Sequence, residues 1–577
     1  MARDGHKYIF VLGGVMSGVG KGVAVSSIGL ILEQSGHPVN LVKIDPYLNV
    51  DAGTMNPTEH GEVFVLKSGL ETDQDMGNYE RFLGRDLTND DYMTSGMVYQ
   101  AVINRERALG YGGKCVEAIP HIRDEIIRRI EAAASYNGSR ISVIEIGGTI
   151  GDFQNALFIE AARVLKMQRP EDVLFVMVSY LPTPGTLGEM KTKPTQTAVR
   201  DLNSYGVQPD FIIARSKEPV DEKRKEKLAI WCNVRKDHVI SAPDIKSIYE
   251  APLNFEKDKI GEMLLEALHL NSAKKPNLSK WSKFVKAAMN KTAPEVSIAI
   301  VGKYFDTGDF VLSDAYLSVI EAIKFSAAAL GQRAKISWVN SKDIEKACLP
   351  AGRGGAKALA ALAGYHGIIV PGGFGESGIE GKIRAIQYAR EHKIPYFGLC
   401  YGMQLMVIEY ARHVLGLKRA HTTEIQKNSE DPIVDVMLEQ KKHLADNKYG
   451  GTMRLGSYPA YLKKGTMARA AYKKELIEER HRHRYEINPA YVKKLEAAGL
   501  VFSGTSPDGV LMEIAELPRA EHPFMLGTQF HPELQARPLA PHPLFTEFLK
   551  AAVAQKKKKH LVSAVVRKAV GRLARKK

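Results

Sequence analysis

The stretch Tyr8-Ile9-Phe10-Val11-Leu12-Gly13-Gly14-Val15-Met16-Ser17-Gly18-Val19-Gly20-Lys21-Gly22 reads as a strand, a glycine-rich turn and the start of a helix. Five consecutive apolar residues suit a buried strand, and a helical pattern runs from Val23 to Ser35. Glycines let backbone N–H groups close around phosphate oxygens, and the helix N-terminus adds its dipole. Lys21 supplies a point charge for β- and γ-phosphates. Standard P-loop spacing puts Gly at position 15 and Ser or Thr at position 22. Val15 and Gly22 stand there instead, so the loop is a variant, with Ser17 as the candidate hydroxyl.

The strand pattern recurs at Val39–Ile44, Ile141–Ile146, Val173–Ser179 and Phe211–Ala214, with helical patterns such as Ile122–Ala134 between. Strands alternating with helices predict a doubly wound parallel sheet. Asn271–Pro294 is rich in Ser, Lys, Asn and Pro around one amphipathic stretch and reads as a linker. The pattern then restarts. Val296–Val301, His366–Val370, Ile394–Leu399 and Phe524–Phe530 predict strands, and Ser313–Ala329 and Gly402–Leu415 predict helices. Phe305–Leu312 and Ala351–Gly364 read as surface loops. The expected fold class is α/β with two doubly wound Rossmann-like domains, at 1–270 and 295–550, joined by 271–294 and followed by a tail at 551–577.

The 577 residues are 44% apolar and 25% charged, which excludes fibrous and wholly disordered classes. Four scattered cysteines (Cys115, Cys232, Cys348, Cys400) make neither a disulfide framework nor a zinc site. No apolar run reaches the ~18 residues of a membrane span. Met1–Lys7 carries Arg3, Asp4 and Lys7 and leads straight into a strand, which predicts no signal peptide and a cytoplasmic location. The formal charge is +15, from 80 Lys+Arg against 65 Asp+Glu. Residues 551–577 hold ten of those bases and no acid, so the first 550 carry only +5. In that tail Leu561, Val565, Val566, Ala569, Val570 and Leu573 recur at near-helical spacing between Arg567, Lys568, Arg572 and Arg575, a basic amphipathic pattern. It is expected to be a solvated appendage, and neither nucleic acid nor membrane is a required partner of the protein.

Two sites carry chemistry. Glu145 ends the run Ile141–Ile146, and an acid at the C-terminal end of a buried strand faces a phosphate crevice. With Asp73 or Asp75 from the acidic loop Glu71–Asp75 it can take the hard cation that accompanies a nucleotide triphosphate. Lys191-Thr192-Lys193-Pro194-Thr195-Gln196 suits a second anion. In the second half, Gly398-Leu399-Cys400-Tyr401-Gly402 is a nucleophile elbow with Cys in place of Ser. His531 is the natural base, Glu533 orients it, and Pro371-Gly372-Gly373-Phe374-Gly375 offers oxyanion donors.

These segments, with KIDPY (43–47), Asp51 and Gly53-Thr54-Met55, HGEVFV (60–65), EIGGT (145–149), ERHRHRYE (479–486) and QFHPE (529–533), resemble the CTP synthase family, a synthetase domain joined to a class I glutamine amidotransferase domain. The resemblance runs from about Tyr8 to about Leu549. It implies ATP-dependent amination of UTP to CTP through a 4-phosphorylated UTP, using ammonia from glutamine. It implies Mg²⁺ on Asp75 and Glu145. It implies ATP at Ser17, Gly18, Val19, Gly20, Lys21, Gly22, Lys43, Asp75, Asp244 and Ile245. UTP, or CTP as feedback inhibitor, is implied at Ser17, Asp152, Phe153, Gln154, Lys191 to Gln196 and Lys227. Glutamine is implied at Gly373, Tyr401, Gly402, Met403, Gln404, Glu424 and Arg484, and an ammonia passage at Pro57, His60 and Val63. GTP activation, a homotetramer and filaments belong to the same implication.

Four positions depart from the family pattern. Gly18 replaces a Ser, Asp152-Phe153-Gln154 replaces Asp-Ile-Glu, Glu117 stands for Gln and Pro243 for Lys. They bear on nucleotide affinity and feedback. Another ATP-dependent amidotransferase acting on a carboxylate, such as a cobyrinic acid amide synthase, shares the layout, but the 191–196 loop argues against it. An inactive scaffold conflicts with the intact Lys21 and Cys-His-Glu set.

Overall fold

The computed structural model describes residues 5–135, 138–185, 188–271, 274–303, 313–346, 353–373, 375–437 and 453–574. It divides into two compact units, Met1–Ala52 with Gln74–Lys286, and Gly53–Asp73 with Ala287–Lys577.

The first unit is built on a seven-stranded sheet. Its strands are β1 (Lys7–Gly13), β2 (Val39–Asp45), β3 (Tyr92–Thr94), β4 (Ile141–Ile146), β5 (Val173–Tyr180), β6 (Phe211–Ser216) and β7 (Val239–Pro243). The order is β3-β2-β4-β1-β5-β6-β7, and every pairing is parallel. Helices on both faces leave the central strands dry, which is why they read as unbroken apolar runs. The chain leaves β1 for β2 on one side and reaches β5 on the other, so the turn after β1 sits at the topological switch point. There α1 (Lys21–Gln34) begins. Parallel register pairs Lys43 of β2 with Glu145 of β4.

The second unit carries a nine-stranded sheet. Its strands are β8 (Glu295–Gly302), β9 (Arg333–Asn340), β10 (Gly367–Val370), β11 (Tyr396–Leu399), β12 (Arg454–Leu462), β13 (Leu476–His483), β14 (Val501–Thr505), β15 (Met512–Glu516) and β16 (Met525–Thr528). The order is β9-β8-β10-β11-β16-β15-β14-β12-β13. The first five pair in parallel and the last four extend the sheet antiparallel. The antiparallel part went unread in the sequence because β13, Leu-Ile-Glu-Glu-Arg-His-Arg-His, is charged rather than apolar.

Three expectations change. The acidic loop is no loop at Asp75, which lies in the first turn of α2 (Gln74–Leu83). The surface loop expected at 351–364 contains a helix, Arg353–Ala361, because Ala-rich sequence forms helix well. The linker stretch contains α3 (Ser279–Ala288), whose Trp281, Phe284 and Val285 are buried. Trp281 donates its indole N–H to the Tyr249 carbonyl at 2.8 Å and lies 5.0 Å, ring to ring, from Phe82. Phe305–Leu312 and Cys348 fall outside the described residues. A division at residue 550 falls inside one helix, Pro543–Ala574, in which Phe545, Phe548, Leu549 and Ala552 are buried. Among the described residues no helix is long and apolar enough to cross a membrane.

Trp281→Ala removes an indole from a closed aromatic cluster and should cost about 3–5 kcal/mol. A denaturant titration followed by circular dichroism checks this, with the first transition moving to lower denaturant.

Candidate active sites

The phosphate loop has its glycines where backbone demands them. Gly18 and Gly20 have φ of 68° and 86°, the left-handed region, and Gly20 caps the N-terminus of α1. The unexpected Gly22 has a packing reason. A Cβ there would lie 2.4 Å from Asp75 Oδ1, so α2 lays its carboxylate on the first turn of α1. Lys21 is buried and donates to the Gly148 carbonyl at 2.5 Å, and burial lowers its pKa.

Lys43 Nζ donates to Asp75 Oδ2 at 2.6 Å and to Glu145 Oε1 at 2.9 Å, and lies 3.6 Å from Asp45 Oδ1. Tyr79 donates its hydroxyl to the other Glu145 oxygen. Burial raises the Glu145 and Asp45 carboxyls. At Asp75 burial pushes the same way, but the Lys43 and Lys21 ammonium groups outweigh it and hold the carboxyl low. The carboxylates of Asp75 and Glu145 thus converge on one cation, and their hard oxygens are the donors that Mg²⁺ prefers. Among the described residues no cluster of three or more His, Cys, Asp or Glu has metal-site geometry.

The first unit also holds two cavities. One, of about 330 Å³, runs from Gly18 and Gly20 along Val23, Ile213, Ile245 and Phe255, an apolar slot suited to a planar base. Ile245 lines it, while Asp244 is exposed and accepts from Arg215 at 3.2 Å. The other, of about 370 Å³, is lined by Lys191, Lys193, Gln196, Lys223, Arg224 and Lys227 among others. It opens at the N-terminus of α4 (Lys193–Ser204), with Pro194 in the first turn. Thr195 Oγ1 lies 2.8 Å from Ser179 Oγ, and Gln196 Nε2 donates to Thr192 Oγ1 at 3.1 Å, so the loop is held from behind. Asp152 accepts from the Thr149 N–H at 2.6 Å, and Phe153 and Gln154 stand exposed, outside the lining of either cavity.

In the second unit Cys400 joins β11 to α5 (Tyr401–His413) with φ 50° and ψ −100°. A side chain rarely occupies that region, and such strain concentrates at functional sites. The neighbours explain how it is tolerated. A Cβ on Gly398 would meet the Gly402 backbone at 2.7 Å, and one on Gly402 would meet Val370 O at 2.1 Å. His531 Nδ1 lies 2.7 Å from Glu533 Oε1, and the ring shares the Cys400 cavity with the thiol. Burial works against the imidazolium, but Glu533 and Cys400 outweigh it and bring His531 up to about 10. Gly372 faces this pair. A Cβ there would sit 2.8 Å from His531 Cε1 and 3.7 Å from the Cys400 Cβ.

The glutamine-site residues divide. Gly373 lines the Cys400 cavity. Gln404 donates to the Tyr485 carbonyl at 2.9 Å, and Glu424 accepts from the Gly375 N–H at 3.0 Å. Met403 and Tyr401 are core side chains, and Tyr401 lies beneath the Lys382 ammonium at 5.4 Å, so these two positions offer backbone rather than side chain. Of the passage residues, Val63 lines the Cys400 cavity and His60 is exposed; the Pro57 side chain and Phe374 lie outside the described set. Sequence reading missed Lys223 and Arg224, Phe255, and Glu62, which also lines the Cys400 cavity. The basic run Lys223-Arg224-Lys225 was a local signal, whereas no spacing rule pairs residue 62 with residue 400.

Comparisons with known proteins agree on both halves. The family described as CTP synthase N-terminus matches residues 7–270, and glutamine amidotransferase class-I matches 311–551. CTP synthase of Pyrococcus furiosus is 48% identical over 558 residues, covering 96% of this chain and 99% of its own. That of Dehalococcoides mccartyi is 48% identical over 547 residues, covering 95% and 97%. Among solved structures, the glutaminase domain of Trypanosoma brucei CTPS with bound acivicin is 37% identical, covers 45% of this chain and 94% of its own, and superposes with a TM-score of 0.40. With near-full-length identity of that order and both domains matched in sequence, the chain belongs to the CTP synthase family.

Proposed function

We propose that this protein makes CTP from UTP, ATP and glutamine, with the phosphate crevice and the Cys400 site as its two centres. The observation that carries the reading is that one chain holds a strained thiol with its His-Glu pair and a glycine loop whose Lys21 feels the charges of Glu145 and Asp75, the acids that Lys43 bridges. The cytoplasm is the expected compartment. CTP feedback, GTP activation and a homotetramer follow from family membership as parts of the same reading.

At the second centre, the Cys400 thiolate attacks the side-chain amide carbon of glutamine. Backbone N–H groups of Gly373 and Tyr401 hold the oxyanion. The His531 imidazolium gives its proton to the departing ammonia, leaving a thioester. Water, giving a proton to His531 as it attacks the thioester, then releases glutamate and restores the Cys400 thiolate beside the imidazolium. Glu533 keeps the ring oriented throughout.

At the first centre, the apolar slot takes the adenine and the loop Ser17–Gly22 takes its phosphates. Lys191, Lys193 and Lys227 hold UTP by charge at the start of α4. Asp75 and Glu145 would hold Mg²⁺, which neutralises charge on the transferring phosphate when bound. Lys21 and Lys43 position the γ-phosphoryl group near O4 of the uracil ring. Its transfer makes O4 a leaving group, and ammonia displaces phosphate at C4.

Four measurements test this. Purified protein given UTP, ATP, Mg²⁺ and glutamine should produce CTP, read by chromatography. Cys400→Ala should lower glutamine-driven synthesis by about 10⁴-fold while leaving ammonia-driven synthesis within about twofold. Loss of both sinks the division into two centres. Asp75→Asn should raise the Mg²⁺ needed for half-maximal synthesis by about tenfold or more, with glutaminase turnover unchanged.

The fourth concerns pH. His531 is held above its unfolded value of 6.5, so its contribution to stability is fully present below that value and is lost as pH rises through about 10. Glutaminase activity should therefore hold on the alkaline side until pH approaches that value. Glu533→Gln should move the alkaline limb to lower pH, and an unmoved limb would falsify the pairing.

A further inference from the structure

The segment Gly53–Asp73 comes early in the chain yet packs within the second unit. Its anchors are specific. Arg480 donates to the Val65 carbonyl at 3.0 Å, Arg482 to Glu71 at 2.8 Å, and the Ser457 N–H to the Lys67 carbonyl at 2.9 Å. The most telling contact is made by Glu62.

Helix α6 (Leu317–Ala329) has no side-chain cap of its own, because its N-cap residue is Tyr316, and its first turn contains no acid. The first N–H groups of a helix need an acceptor, and its positive end favours a carboxylate. Glu62, 256 residues away in sequence, supplies both. Its two oxygens each accept from the Ser318 N–H at 3.1 Å, and one accepts from the Ser318 hydroxyl.

The capped end borders the Cys400 cavity. Glu62 and Val63 line it together with Tyr316, Cys400 and His531. The cavity holds about 90 Å³, room for several molecules the size of water or ammonia. Helix α6 also packs on the turn Pro532–Gln535, which carries Glu533. At the other end of the segment, Glu71 holds Arg482, whose carbonyl accepts from the Cys400 thiol at 3.8 Å. Four residues beyond Glu71 along the chain stands Asp75, partner of Lys43.

We propose that Glu62 is a positioning residue that couples glutamine hydrolysis to use of the ammonia. It pins the 53–73 segment across the Cys400 cavity by capping α6, so that ammonia released at Cys400 is retained by the protein instead of escaping to solvent. The inference rests on the two-centre reading above. Glu62 touches neither reacting carbon, and its effect lies in the fate of the product.

The test compares the unaltered full chain with E62A and E62Q. It measures glutamate, CTP and free ammonia in the same reaction, with ammonium chloride replacing glutamine in a parallel series. For the unaltered chain the ratio of CTP to glutamate should be about one. In E62A that ratio should fall about fivefold and free ammonia should appear, while ammonia-driven synthesis and glutamate release stay within about twofold. E62Q keeps an oxygen to accept the Ser318 N–H and should lie between. An unchanged ratio in E62A overturns the proposal. So does an equal loss of ammonia-driven synthesis, which marks a general folding effect. No CTP from ammonia in the unaltered chain overturns the functional reading itself, and that result is visible before any variant is compared.

Discussion

Much of the first unit hangs on one ammonium group. Lys43 is buried among Asp75, Glu145 and Asp45, which would repel one another without it. Removing one partner from such a buried cluster typically costs about 3–5 kcal/mol, because a desolvated charge is left unpaired. The cluster also arranges the crevice. It ties β2 to β4 through their paired register and pulls the first turn of α2 onto α1, where only glycine fits at position 22. Its negative excess suits a hard cation, and the cation and Lys21 would in turn offset the charge of a polyphosphate.

The second unit stores its tension differently. The φ of 50° at Cys400 carries a cost on the order of 1–3 kcal/mol. The strand ends and glycine contacts around it leave the chain no other path. Behind the nucleophile lies a second buried charge cluster. Arg454 donates to Glu486 at 3.2 Å and to Glu513 at 2.8 Å, and His481 and His483 lie 2.9 Å apart. Burial pushes Glu486 well up and both histidines well down. The strand carrying these histidines also presents the Arg480 carbonyl that accepts from the His531 N–H. A charged segment therefore forms the wall of the thiol site.

That segment shows where reading by periodicity stops. Apolar runs such as Tyr8–Leu12 and Val173–Ser179 announced their strands because both sheet faces are dry. The Cys400 elbow and its His-Glu pair were visible because their geometry is local, within two to five residues. By contrast β13 hides its burial behind charged side chains, of which Arg480 and Arg482 find their partners, the Val65 carbonyl and Glu71, in a segment hundreds of positions away. The linker reading of 271–294 missed how firmly Trp281 is packed, since the rings it meets come from Phe82 and Tyr249.

The opening glycine loop, the thiol elbow and the order of the two domains are properties of short segments, so the chain alone carries them. They rest on backbone conformations and apolar runs that neighbouring residues dictate. The meeting of Lys43 with Asp75 and Glu145, the gathering of Lys223, Arg224 and Lys227 beside Lys191, and the capping of α6 by Glu62 are of another kind. Each joins residues from tens to hundreds of positions apart. Sheet order and strand register choose those partners, because electrostatic and hydrogen-bond contacts act over a few ångströms of space and are blind to distance along the chain.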